Sequence, residues 1–281
     1  MSGFSSRRLL LASGAGVVLV SALAVQGAAE PAAIPDFSSG GIGWTVGPAQ
    51  GEFIAVPGSP SPMTTDPAHP HVFNIGITQG KQPTFPIGDL SNPNLKSWAK
   101  EIMKKDNDEV LAGKIAYSAR SSCKPAGVPA FNLFGGGNFY FRQTAKEVVM
   151  IFDADQQVRR IYLNVPHSAK VKPSWYGESV GHYEGDTLVV DTIGMNAKTF
   201  VDGYRTPHSE KLHVGERWKT IDNGSRLEVA MTIDDPETFL QPWQAIERYR
   251  RVEETLVEQV CAENNQVAID YHIPVAGKAD F

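Results

Sequence analysis

His208 stands in the run Pro207-His-Ser-Glu-Lys-Leu-His213, a few residues after Asp202 and Tyr204. An imidazole with an ordinary pKa of about 6.5 suits proton transfer. A carboxylate that holds one ring nitrogen fixes the tautomer and leaves the other nitrogen to act. Asp202 and Glu210 are both close enough in sequence to do this. His208 is therefore the expected general acid or base, with Glu210 or Asp202 orienting it; the alternative is a polar loop whose histidine only hydrogen-bonds backbone. Asp191 is the second candidate. It interrupts the apolar run Thr187-Leu-Val-Val-Asp-Thr-Ile193, and a carboxylate among apolar side chains must be paired, protonated or functional. It reads as a further acid–base group or as the ion-pair partner of Arg159, Arg160 or Arg217.

Other constellations carry less. His182 and His213 would have to join His208 to hold a metal. The spacing offers no helix to align them and no HExxH motif is present, so no metal and no cofactor is expected. Gly135-Gly-Gly137 lacks the lysine and following helix of a phosphate cradle. Gly177-Glu-Ser-Val-Gly181 has the spelling of a nucleophile elbow but falls in a hairpin pattern, without the strand-to-helix turn that exposes such a serine.

The elements that position these groups are strands. From Asn138 onward the hydrophobic period is two, predicting strands at Phe139–Gln143, Glu147–Asp153, Val158–Leu163, Glu178–Tyr183, Thr187–Gly194, Lys211–Ile221, Arg226–Asp234, Gln244–Val252 and Thr255–Val260. Asn223-Gly224 is a strong hairpin signal. Successive strands with short turns predict an antiparallel meander that closes as a lipocalin-like β-barrel, with a β-sandwich as the alternative. Tight connections at 153–157, 184–186, 222–225 and 253–254 alternate with long ones at 164–177, 195–210 and 235–243. In a meander the long loops then share one open mouth. That mouth would gather His167, Trp175, Glu178, Phe200, Tyr204 and Trp243 as substrate-binding groups, with an aromatic rim suited to a flat or apolar ligand.

Ahead of the barrel the chain reads in two parts. Arg7-Arg8, an apolar run from Leu9 to Val25 and small residues to Ala29 predict a signal peptide over 1–29, with twin-arginine character. Residues 30–137 are rich in Pro, Gly and Ser, a loop-rich extension before a barrel domain at 138–281. One short helix is expected there, capped by Ser91, with Leu95, Trp98, Ile102 and Met103 on one face and an end near Asp106. A further helical turn is expected around Glu109–Ala112. A net charge of −5 argues against nucleic acid as partner, and no stable membrane span is expected after processing. Cys123 and Cys261 would both lie in an oxidising compartment, either as a disulfide or as two free thiols.

The segments Cys123-Lys-Pro-Ala-Gly-Val-Pro129, Asp155-Gln-Gln-Val-Arg-Arg-Ile-Tyr162, Gly177 through Thr192 and His208-Ser-Glu210 together resemble an abundant family of exported bacterial proteins. The recurring core of that family's pattern is Gly-x-Ser-x-Gly-x-Trp-Glu-Gly-Asp-Thr-Leu-Val-Val-Asp-Thr followed by His-Ser-Glu. The resemblance covers roughly the C-terminal two-thirds of the chain. It implies export and a shared site, and it names no reaction. Glu178 and His182-Tyr183 stand where similar sequences commonly carry His and Arg-Trp, which points to a different substrate if these positions touch it. The expected function is an exported, cofactor-independent enzyme acting on a small organic molecule by acid–base chemistry of the lyase, isomerase or cyclase type. A periplasmic small-molecule binding protein and a hydrolase are the alternatives.

Overall fold

A computed structural model describes residues 34–260 apart from 39–42, 47–51, 74–78, 82–83, 117–122, 134–136, 154–156, 254–255, 257 and 259. The strands are β1 (Gly43–Val46), β2 (Ile54–Ala55), β3 (Asn138–Gln143), β4 (Glu147–Phe152), β5 (Gln157–Leu163), β6 (Glu178–Glu184), β7 (Thr187–Ile193), β8 (His213–Ile221), β9 (Arg226–Asp234) and β10 (Trp243–Val252). One α-helix, α1 (Ser97–Leu111), precedes β3. Strands β3 to β10 pair in chain order, and β1 bridges β3 to β10, closing a nine-stranded barrel; β2 adds to the other end of β10. Closure pairs the strand edges that an open meander would leave exposed. The fold is thus mainly β and a barrel, and the sandwich is excluded.

Two features depart from the expected all-antiparallel meander. The closing strand β1 comes from the N-terminal extension, so the barrel is not confined to 138–281. A ring of nine strands, moreover, cannot alternate direction throughout, and one neighbouring pair has to run parallel. That pair is β5–β6, in the register Ile161↔Ser179 and Leu163↔Gly181. Consequently the connection 164–177 cannot be a loop at one end. It returns along the outside of the barrel, where the Ser174 amide bonds the Gly194 carbonyl at 3.0 Å and the Asn196 amide bonds the Ser174 carbonyl at 2.8 Å. The strap lies close: a Cβ on Gly194 would come within 2.3 Å of Val171.

Burial alternates along the strands as a barrel requires. On β9, Leu227, Val229, Met231 and Ile233 point inward, as predicted, and the β8–β9 turn places Asp222, Asn223 and Gly224 at positive φ. The inner face also takes Phe139, Phe141, Met150, Phe152, Ile161, Val190 and Trp218, with Trp218 stacked on Tyr249 at 5.8 Å. Of the segment predicted as a last strand, the described residues Leu256, Glu258 and Val260 are not in one.

The helix differs from its prediction. It is one continuous element, entered at Lys96 and not Ser91, and it buries Ala99, Met103 and Asn107 while Trp98 and Ile102 remain exposed. Asn107 exchanges hydrogen bonds with the backbone of Gly88. Together with the extension, α1 covers the barrel end to which the connections 194–212 and 235–242 belong. Lys96 and Thr238, and Asn94 with Leu240 and Gln241, join the two layers by hydrogen bonds. The expected mouth is therefore capped. Cys123 is disulfide-bonded, and Cys261 lies outside the described residues, as does the segment 1–29 expected as a signal peptide.

Candidate functional site

The parallel pair creates the most reactive-looking group of side chains. Asp191 sits on the outer face of β7, flanked by β6 and β8, and the strap from β5 carries His167 above it. His167 Nε2 lies 2.8 Å from Asp191 Oδ2 and its Nδ1 3.0 Å from Glu178 Oε1. Each ring nitrogen thus faces a carboxylate oxygen, and a ring that donates to both must carry a proton on each. On the other side His213 Nε2 lies 2.5 Å from Asp191 Oδ1. Gly215 pairs with Asp191 across β7–β8 and offers no side chain to cover it, so His213 reaches the carboxylate diagonally. Its Nδ1 has no hydrogen-bond partner among the described residues, and the side chain is 47% exposed. Glu178, His167, Asp191 and His213 thus form a continuous chain of titratable groups on the barrel's outer surface.

Both carboxylates are tuned toward the charged form. Hydrogen bonds from the Ser168 hydroxyl and backbone, joined by His167, hold the Glu178 carboxyl below its ordinary pKa. Burial pushes the Asp191 carboxyl up, but the hydrogen bonds from His213 and His167 outweigh it and leave it lowered. Among the described residues no set of three such side chains is arranged to hold a metal ion.

A second polar group lies inside the barrel. Arg159 and Glu216 form a doubly hydrogen-bonded ion pair, both side chains 0% exposed. Arg159 also donates to Thr192 Oγ1 at 2.9 Å and Ser179 Oγ at 3.3 Å, and Asn132 donates to Glu216 Oε1 at 2.9 Å. The Tyr249 hydroxyl donates to the Asn132 carbonyl at 2.8 Å. Nearby Glu247 is wholly buried; burial raises its pKa to about 7, and its Oε2 has no hydrogen-bond partner. The serine of the Gly-x-Ser-x-Gly spelling belongs here, in the core. Its glycines answer to crowding: a Cβ on Gly177 would meet the Ile193 carbonyl at 2.3 Å and one on Gly181 the Val189 carbonyl at 2.6 Å.

The structure brings together three of the expected site residues, Asp191, His167 and Glu178, and separates the rest. His208 is 2% exposed and fully engaged: Nδ1 donates to the Ser209 carbonyl and Nε2 accepts from the Thr199 hydroxyl, each at 2.8 Å. Burial lowers its pKa, which keeps the ring neutral. Neither expected carboxylate orients it. Asp202 is buried and accepts from Tyr204 N, Thr206 N and Thr206 Oγ1, while Glu210 is exposed. Asp191 pairs with histidines and with none of the arginines considered for it. Phe200, Tyr204 and Trp243 are buried and form no rim; Tyr204 bonds Glu52 and Thr65 of the extension instead.

Trp175 does line open space. A cleft of about 490 Å³ lies beside the strap, walled by Lys124, Pro125, Gln157, Val158, Trp175 and Tyr176. His213, Glu216, Arg159 and Glu247 were not among the expected site residues. For the three inner ones the sequence held a signal, since each is a charge on the apolar phase of an alternating strand. For His213 the signal needed the register.

The chain is thus a closed nine-stranded β-barrel with a packed polar and aromatic interior and an ionisable cluster under an external strap. No family model matches it, and no curated protein matches it in sequence. Among solved structures it is similar to a variant of the fluorescent protein UnaG, at 14% identity and a TM-score of 0.27 over 48% of this chain and 86% of that one. That likeness is too loose to bear on the site.

Proposed function

We propose that the protein is an exported enzyme that moves protons on a small organic molecule, as lyases, isomerases and cyclases do, at the outer cluster. The observation that carries this reading is the Asp191 carboxylate bound to two imidazoles, one of which keeps a nitrogen open to solvent. With Nε2 held by Asp191, His213 Nδ1 carries a lone pair and is the general base. It takes a proton from a carbon or oxygen of the substrate, and the electron pair left behind moves into an adjacent acceptor such as a carbonyl. Asp191 stabilises the imidazolium that forms, and the charge on His167 keeps two neighbouring carboxylates compatible. Return of the proton to another atom completes an isomerisation; departure of a leaving group completes an elimination.

Export is supported by Arg7-Arg8 ahead of an apolar run and by the disulfide at Cys123, which suits an oxidising compartment. The test is exchange of carbon-bound hydrogen for solvent deuterium, followed by proton NMR over a panel of small carbonyl acids. Whichever compound exchanges should stop doing so with Asp191→Asn while the fold persists. Exchange at the wild-type rate in that variant overturns the proposal.

A further inference from the structure

The cleft beside the strap is built unlike the rest of the surface. The chain as a whole carries a net charge of −5, yet among the described residues the one charged wall residue of the cleft is Lys124, and none of the described wall residues is a carboxylate. Lys124 Nζ stands 5.8 Å above the Trp175 ring. Tyr176 packs edge-on against the buried Phe131 at 5.7 Å, which fixes its ring as a wall. The Tyr176 hydroxyl bonds Gln157 Oε1, and the Gln157 side-chain Nε2 has no hydrogen-bond partner although the residue is only 7% exposed. Cys123 ties the Lys124 wall into a disulfide. Apolar faces come from Val158 and Pro125.

We propose that this cleft is the binding site for a small aromatic carboxylate. The arrangement supplies what such a ligand needs: flat apolar walls for its ring and one ammonium for the carboxylate, with the unpaired Gln157 amide donor buried in the wall. Its volume fits a ligand of one or two rings. Only Gly177 separates Tyr176 of the cleft from Glu178 of the ionisable cluster, so a ring held here presents its remainder to the strap. As the substrate class of the enzyme, this inference rests on the function proposed above; as a binding site it does not.

Binding is measured with the intact, oxidised protein and 2-naphthoate as probe, by titration calorimetry and tryptophan fluorescence, in the absence of any turnover. Wild type should bind 2-naphthoate, and the neutral 2-naphthamide about tenfold or more weaker, because the ion pair with Lys124 is lost. Lys124→Met keeps most of the apolar stem and should abolish the preference for the charged probe. Trp175→Ala should weaken both probes. Equal affinity for acid and amide in the wild type, or unchanged naphthoate binding in both variants, overturns the assignment. A protein that binds naphthoate as described but catalyses no exchange retains this site and loses the proposed enzymatic reading; the reverse result separates them the other way.

Discussion

The outer cluster and the inner network are made of the same kinds of groups, yet their surroundings set them to opposite tasks. Inside, Arg159 and Glu216 are shut from solvent, and the ion pair is completed by Ser179, Thr192 and Asn132. Such a pair holds a low-dielectric core in one arrangement, because removing either partner strands a buried charge. Outside, His167, Asp191 and His213 are 20%, 44% and 47% exposed, and one imidazole nitrogen is unengaged. There the same chemistry can take up and release protons. Both regions set a carboxylate against a nitrogen cation or base, but the inner guanidinium keeps its protons where an outer imidazole can give one up. They differ also in whether each donor and acceptor of the pair is already spent.

Breaking the inner pair should have the largest effect on the fold. Glu216→Ala leaves a buried guanidinium without its carboxylate and should cost roughly 3–5 kcal/mol in urea unfolding. A loss below about 1 kcal/mol would show that the network is not what holds the interior.

Glu247 sharpens the comparison through pH. In the fold it keeps its proton up to about 7, while in the unfolded chain it releases it near the ordinary 4.5. Folding therefore takes up a proton between these values, and stability falls as the pH rises through that window. Glu247→Gln should flatten this slope and gain on the order of 3 kcal/mol above pH 8. An unchanged slope in the variant would mean that the acid is already paired.

His208 is expected to behave as an inner residue. His208→Ala removes the bonds to Thr199 and Ser209 and should destabilise the protein by roughly 1–3 kcal/mol, with a lowered Tm in calorimetry. Activity should be retained at temperatures where the variant stays folded. A stable but inactive variant would restore His208 as the working base.

Much of this architecture was legible from alternation alone. Arg226–Asp234 was read with its correct bounds and facing, because its two faces differ plainly in polarity. Where both phases are apolar, as in Leu188, Val190 and Thr192 against Val189, Asp191 and Ile193, alternation could not say which faced inward. Asp191 accordingly reads as a core group, and it faces out. Arg159, Glu216 and Glu247 carry the same kind of signal, a charge on the apolar phase of a strand. The helix misled through Trp98 and Ile102, whose apolar character is spent on the surface while Ala99, Met103 and Asn107 fill the contact. Nothing local could reveal β1, four residues in a Gly- and Pro-rich arm, or the parallel direction of β5–β6, since closure of a nine-membered ring is a property of the whole sheet. Missing that pair meant missing the strap, and with it the position of His167 over Asp191.

Histidine labelling tests the central claim most directly and requires no substrate. Diethyl pyrocarbonate modifies uncharged, accessible imidazole nitrogens, and peptide mass spectrometry reads the rate at each histidine. His213 should be modified in the folded protein through its open Nδ1, several-fold faster in Asp191→Asn, where no carboxylate holds Nε2, and His208 should resist until the protein unfolds. Modification of His208 at the rate of His213, or a His213 rate indifferent to Asp191→Asn, would contradict the assignment of the outer cluster as the site of proton transfer.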